Sequence, residues 1–353
     1  MTPLISVVIP VYGVREYLAD CLDSVLLLGG AGAGGVEVIA VDDASPDGSG
    51  ALLDERADAD GRLSVIHLGR NAGQGSARNA GLAKAAGEYV WFVDGDDTIA
   101  PGALAAIGAK LATDRPDMLL IDYEERLPRG RTRPSTGGRL LDGAPPGTFS
   151  LADAPQLVNL TMTAWSRVLR RDFLIGLHEP FRPGIHEDIP VTCAALFAGR
   201  LAALARVCYG YRRARGGSAM TSSTGQLAVF DAYHEVLAML RDLAEAGDPV
   251  ATPAVRRAVF ERAISHYASV LAATGPGIGP LGRPGLVPRG ERRQFFERMH
   301  EDYVSYLPPG YRLPPGARGA KLRLISAGAY RTYEMLEPLN RIRVALARVA
   351  PIR

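Results

Sequence analysis

The stretch "EYVWFVDGDD", Glu88 to Asp97, sets three carboxylates within four residues directly behind an apolar run that reads as a buried strand. Like charges crowded at a strand end repel one another, a cost relieved when something positive sits among them. Carboxylate oxygens are the ligands that hard divalent cations prefer, so a bound metal is the first hypothesis. A solvated turn is the plainer alternative, weakened because three acids so close to a buried strand need compensation.

Outward from this stretch, β-rich apolar runs recur at Leu4 to Pro10, Val36 to Val41 and Leu63 to Leu68, with helical periodicity between them. The alternation predicts an α/β fold with a parallel sheet and crossover helices. Tyr17, Leu18, Cys21, Leu22, Val25 and Leu28 share one broad face of the first helix and are expected in the core. In open sheets of this kind ligands gather at the carboxyl ends of the strands. Scrutiny therefore falls on Pro10 to Tyr12, on "DDASPDGS" from Asp42, on "GRNAGQGSARNAG" from Gly69 and on the acidic cluster. "GAGAGG", Gly30 to Gly35, has G-x-G-x-x-G spacing but follows a helix and precedes a strand. The dinucleotide fingerprint does the reverse, so a nicotinamide site is rejected.

The chain has 353 residues, 47% hydrophobic and 22% charged, a composition that supports a real core and one large or two ordinary domains. Three distant cysteines, Cys21, Cys193 and Cys208, suggest a reducing compartment without a disulfide framework, and the cytoplasm fits best. No signal-peptide pattern opens the chain and no apolar run has transmembrane length, so neither export by that route nor membrane spanning is expected. From Arg318 to Arg353 the net charge is +6, against −4 for everything before it. A nucleic-acid protein would spread its basic footprint over the folded body, so an anionic surface for the tail ranks above nucleic acid. Beyond Leu127, "PRGRTRPSTGGRLLDGAPPGT" reads as a long loop, either a surface insert or an acceptor-binding loop. Helical periodicity dominates Gln226 to Thr274, Gly275 to Gly290 interrupts it, and a further helix is expected over Glu291 to Tyr306.

Neighbouring strand ends bring Asp42 and Asp43 to one rim with Asp94, Asp96 and Asp97. There Asp43 can accept a hydrogen bond from a nucleobase N–H, and Asp94 with Asp96 can hold Mg2+ or Mn2+. For "DDASPDGS" a strand-to-helix turn with capping Asp and Ser is an equal alternative.

At this point the blocks "ISVVIPVYGVREYLADCLDSVL", "EVIAVDDASPDGS", "NAGQGSARNAGLAKAAGEYVWFVDGDDTIAPGAL", "AWSRVLRRDFL" and "HEDIPVTCAALFAGR" resemble, in order, those of family 2 glycosyltransferases with the GT-A fold. The resemblance covers roughly the first 220 residues. It implies a catalytic domain over 1–222, Rossmann-like and mostly parallel with flanking helices, followed by a helical region with a basic tail over 223–353. The later part resembles the region that follows such domains in actinobacterial proteins, where a teichoic-acid-type glycerophosphotransferase domain often comes next; no room for one is expected here.

The family implies a sugar moved from a nucleoside diphosphate, most often UDP, to an acceptor hydroxyl. By similarity Pro10, Val11 and Tyr12 lie along the nucleoside, Asp43 reads the base, and Arg78, Asp94 and Gly95 belong to the nucleotide site. The metal at Asp94 and Asp96 acts on the departing diphosphate, with Asp97 completing the cluster. In "HEDIP", Asp188 is implied as the inverting base with Glu187 positioning substrate and His186 as a donor-phosphate or acceptor candidate; two acids starting a helix is the plainer alternative. In "YRRARGGSAMTS", Arg212, Arg213, Arg215 and Ser218 are candidates for donor phosphate, against a solvated basic loop. Trp165 is placed near the acceptor by resemblance, although such an aromatic is usually core. The absence of a Gln-x-x-Arg-Trp motif and of membrane spans argues against processive polymer synthesis. A metal-dependent phosphohydrolase and a catalytically silent nucleotide-sugar-binding module are the rival readings, the first separable by product analysis and the second by UDP binding without turnover. The acceptor is left open. Pro338 to Val349 is expected to form a basic amphipathic helix, touching an anionic membrane or polymer or packing on the domain.

Overall fold

Ile5–Val11 is a run of seven buried residues and forms β1, the strand on which the candidate site is built. The computed structural model describes residues 2–27, 35–177, 180–213, 225–272 and 286–336. The chain divides into two compact units, one of Met1–Arg215 with Ala238–Val255 and one of Gly216–Leu237 with Arg256–Arg353.

In the first unit β1 is followed by α1 (Arg15–Leu26), β2 (Val36–Asp42), α2 (Ser49–Ala59), β3 (Leu63–His67), α3 (Gln74–Lys84) and β4 (Tyr89–Phe92). All four strands are parallel, in the order β3-β2-β1-β4. Continuous Val and Ile runs suit strands covered on both faces, and Leu18, Cys21, Leu22 and Val25 of α1 pack into the core as their spacing predicts. Register decides the function of this half. Val11 lies opposite Asp42, Asp42 opposite His67, and the Val93 N–H reaches the Val8 carbonyl at 3.0 Å. Tyr12, Asp43 and Asp94 therefore emerge on one rim.

The chain continues through β5 (Thr98–Ile99), α4 (Ala103–Asp114), β6 (Met118–Leu127), β7 (Arg131–Pro134), α5 (Gly138–Asp142), β8 (Arg167–Arg170), α6 (Arg171–Ile175), α7 (Asp188–Ala198) and β9 (Leu201–Arg212). These extend the sheet as β4-β8-β6-β9-β5, with β7 paired to β6 alone. β6 and β9 are parallel, with register shifts around Asp122, whereas β8 runs antiparallel to both β4 and β6. The sheet is thus mixed, with parallel pairing throughout its first half. One expectation fails here. The long loop expected from Pro128 begins as a hairpin in which Leu127 pairs with Arg131 and Glu124 with Pro134, followed by the short α5. All four β7 residues are exposed, so the strand carries no apolar alternation by which it could be recognised.

The second unit is helical, with α8 (Ala228–Glu245) beginning in it and α9 (Pro253–Ala272), α10 (Arg292–Ser305) and α11 (Gly316–Ser326) following. Its core is aromatic: Phe230 lies 4.3 Å from Tyr267 and 4.7 Å from Phe295, centroid to centroid. The helix expected over Glu291 to Tyr306 is α10. No helix among the described residues is long and apolar enough to cross a membrane. The segment Pro338 to Val349, most of the Gly30 to Gly35 connection, Arg215 and Ser218 lie outside the described residues.

Candidate active site

The rim at the ends of β1 and β2 is shaped by backbone hydrogen bonds. Pro10 and Val11 are buried, and the Val11 carbonyl accepts from the Asp43 N–H at 2.9 Å and the Ser45 hydroxyl at 3.4 Å. Tyr12 is 48% exposed and presents a ring at the mouth of the rim. Asp43 is buried, its two oxygens accepting from the Ala72 and Gly73 N–H groups at 2.7 and 2.8 Å. Its carboxylate thereby fixes the loop that enters α3. Asp42 accepts from the Ser45 N–H at 3.0 Å and faces His67 Nδ1 at 3.2 Å.

Beyond β4 the three acids converge: Asp94, Asp96 and Asp97 bring carboxylate oxygens within 4.8 Å of one another. Gly95 fits closely between them, since a Cβ there would lie 3.2 Å from both the Pro10 carbonyl and Val14. The turn can therefore lie tight against the end of β1. Asp97 is buried and accepts from the Tyr209 hydroxyl at 2.7 Å and the Arg212 N–H at 2.6 Å. Burial, reinforced by the carboxylates of Asp96 and Asp94, pushes its pKa well above the usual carboxylate range. The same crowding reaches Cys21, whose thiol is raised by burial and then by Asp97, Asp96 and Asp94. A cluster this destabilised in its ionised form, built of oxygen ligands without thiolate or imidazole, suits a hard divalent cation.

Arg78 joins this cluster to the second group of acids. Its guanidinium is buried and donates to Asp94 Oδ1 at 3.0 Å and to Glu187 Oε1 at 2.5 Å, and it lies over the Phe181 ring at 5.4 Å. Burial opposes its charge, but Asp94, Glu187 and Asp188 together outweigh burial and keep it protonated. Gln74 adds a 2.8 Å bond to the same Asp94 oxygen. The close seating of α3 against the 182–187 segment requires Gly75, where a Cβ would run into the Arg182 carbonyl.

At the start of α7, His186 is buried with φ 64°, a left-handed conformation that is rare outside glycine. It turns the chain so that Glu187 meets Arg78 while Asp188 begins the helix. What Glu187 positions directly is therefore the guanidinium. Asp188 is half-buried, and burial, then Glu187, pushes its pKa up to about 7, with Arg78 pulling the other way. A carboxyl group of that pKa takes and gives up a proton near neutrality.

Two other candidates hold positions that their residue types alone do not reveal. Trp165 is 5% exposed, stacked on Tyr209 at 4.4 Å and Tyr211 at 5.4 Å, with its carbonyl accepting from Trp91 Nε1. It is a core residue behind the acids, not a surface open to an acceptor. The Arg212 guanidinium donates to the Asp96 carbonyl at 2.8 Å, approaches Asp20 at 3.3 Å and covers Tyr17 at 4.8 Å. Gln74, Phe181 and Tyr209 escape the sequence reading: Gln74 and Phe181 sit in loop-like stretches and Tyr209 in an apolar run, where none stands out.

Residues 6–176 match the model of glycosyl transferase family 2. The chain is 41% identical over 99 residues to the uncharacterized glycosyltransferase EpsJ of Bacillus subtilis (strain 168), covering 28% of each protein. It is 35% identical over 127 residues to the succinoglycan biosynthesis protein ExoO of Rhizobium meliloti (strain 1021), covering 34% of this chain and 35% of ExoO. Both alignments thus span about a third or less of these relatives' own length. Among solved structures, S. aureus TarS 1-349 in complex with UDP-GlcNAc superposes with a TM-score of 0.71 at 20% identity, over 96% of this chain and 91% of that one. That likeness concerns the fold. With its parallel β3-β2-β1-β4 half and its likeness in fold to TarS, the chain has the GT-A fold, and over residues 6–176 it matches glycosyl transferase family 2.

Proposed function

We propose that the chain transfers a sugar from a UDP-sugar to an acceptor hydroxyl in the synthesis of a glycopolymer or glycoconjugate, with inversion, one sugar per encounter. The observation that carries this reading is Arg78, which ties the Asp94 cluster to Glu187 beside Asp188. A diphosphate-handling group and a base of pKa near neutrality are thereby held on one scaffold. The complexes of TarS with UDP-GlcNAc, and the polysaccharide named for ExoO, support the donor and product classes. We assign this chemistry to residues 1–222 and leave 223–353 outside it.

In this mechanism Tyr12 stacks on the base, the Pro10 and Val11 backbone borders the nucleoside, and Asp43 accepts from the base edge through lone pairs that Ala72 and Gly73 leave over. Asp94 and Asp96 would hold Mg2+ or Mn2+, which when bound would supply Lewis-acid neutralisation of the leaving diphosphate. Asp97 keeps the cluster's shape through Tyr209 and Arg212. Asp188 takes the proton of the acceptor hydroxyl as its oxygen bonds to the anomeric carbon and the bond to the UDP oxygen breaks. Glu187 holds Arg78, and Arg78 keeps Asp94 in place.

Calorimetry of UDP, GDP and dTDP with and without Mn2+ tests the donor assignment. UDP is expected to bind tightest, and only with metal. Equal binding of the three, or full affinity in excess chelator, overturns it. For the chemistry, product analysis must show transfer with inverted anomeric configuration; release of free sugar alone would favour a hydrolase.

A further inference from the structure

Next to the acid cluster lies a feature of the opposite sign. A cavity of about 480 Å³ is walled by Arg126, Arg129, Arg131, Arg212 and Arg213, with Glu124 the one acid among the described residues that line it. The sheet assembles this wall. Arg126 pairs in register with Arg212 on one side and Thr132 on the other, and the Arg213 N–H donates to the Arg126 carbonyl at 2.9 Å. Gly210 makes room for it, since a Cβ there would run into the Arg126 guanidinium.

Neighbouring acids offset only part of this charge. Arg126 lies 3.6 Å from Glu124, Arg212 3.3 Å from Asp20, and Arg213 3.8 Å from Glu125, which also binds Arg133. Each is a partly exposed contact of the kind that binds weakly. Arg129 and Arg131, at the tip of the β6–β7 hairpin, are exposed and have no ion pair among the described residues. Arg129 and Gly130 have φ of 65° and 69°, the left-handed backbone by which the hairpin turns tightly at its tip. The inner wall, Arg212, is the residue whose N–H and guanidinium grip Asp97 and Asp96. An anion in the cavity therefore sits across Arg212 from the carboxylates that handle the donor.

We propose that this cavity is a subsite for a phosphate group of the acceptor, gripped by the forked donors of Arg129 and Arg131, so that the acceptor substrate is a phosphodiester-containing chain. Guanidinium groups match phosphate oxygens two by two, and several of them around one cavity select a multiply oxygenated anion over a neutral sugar. The inference rests on the glycosyltransferase reading, because it names that reaction's acceptor.

The test is calorimetry on the full chain saturated with UDP and Mn2+, titrated with a short glycerol phosphodiester oligomer. The oligomer is expected to bind without displacing UDP. Arg129→Ala/Arg131→Ala should weaken it by about tenfold or more while UDP affinity stays unchanged. Lys84→Ala/Lys110→Ala, which removes equal charge from α3 and α4, should alter neither. Competition with UDP, absence of oligomer binding, or equal weakening by the lysine pair would overturn the subsite. So would a loss confined to sedimentation with phosphatidylglycerol vesicles, which would mean that the arginines face a membrane. Failure to bind UDP at all would refute the donor reading, while the oligomer arm still reports on the cavity.

Discussion

At the end of β2, Asp42 and Asp43 are answered oxygen by oxygen, by the Ser45, Ala72 and Gly73 N–H groups and by the His67 ring. At the end of β4, Asp97 is answered by Tyr209 and Arg212, but the carboxylates of Asp94, Asp96 and Asp97 crowd one another, and the buried cation beside Asp94, Arg78, is shared with Glu187. The two acidic strand ends look alike in composition. Where local donors settle the charge, the carboxylates become part of the loop architecture. Where they do not, the surplus can be spent on a ligand.

The contrast can be broken most forcefully at Arg78. Arg78→Ala strands two carboxylates in a buried setting and should cost about 3–5 kcal/mol of stability, measured by urea denaturation, whereas no single acid at the β2 end should cost as much. Next, Asp96→Ala should lower turnover by about 10²–10³ and erase the metal-dependent gain in UDP affinity. Asp43→Asn should retain that gain, and a metal response lost equally in both would collapse the distinction.

Asp188→Asn should lower turnover by about 10² or more with donor affinity unchanged. The wild-type rate should climb as pH rises through about 7, and the variant should lack that limb. The stability sign follows from the raised pKa. The folded protein holds this proton more tightly than the unfolded chain, so the stabilisation is full below the unfolded value of 3.8 and is lost as pH rises toward 7. Asp188→Asn should therefore melt higher than wild type at pH 8 and no higher at pH 4. The smallest effect belongs to Asp43→Ala, about 1–3 kcal/mol, read most directly as faster hydrogen exchange at Ala72 and Gly73.

Much of this site was legible because its elements carry strong local signals. β1, β2, β3 and β4 are largely apolar, β-rich runs within a residue or two of the expected limits, and charge crowding singles out Asp94 to Asp97. Asp188 was harder. Two acids also suit a helix N-terminus, so its assignment leaned on resemblance, and its environment depends on Arg78, over a hundred residues away in sequence. Trp165 went the other way: an aromatic with three aromatic partners from β6 and β9 is placed by tertiary stacking that no local pattern displays. β7 carries no such signal, because Arg131 and Arg133 on one face and Thr132 and Pro134 on the other are all exposed, which leaves no apolar residue to mark a period of two.

The hairpin that carries Arg129 and Arg131 hangs from β6 alone, with no second strand depending on it. Exchange of its tip is expected to leave the parallel half of the sheet and the Arg78 hub in place, because neither pairs with β7. On the function and subsite proposed above, donor chemistry falls to the part of the sheet whose strands pair on both sides, and acceptor choice to a hairpin paired on one side only. For an engineer, residues 128–134 are the natural cassette: a library there searches acceptor preference while the machinery that breaks the donor bond is left intact.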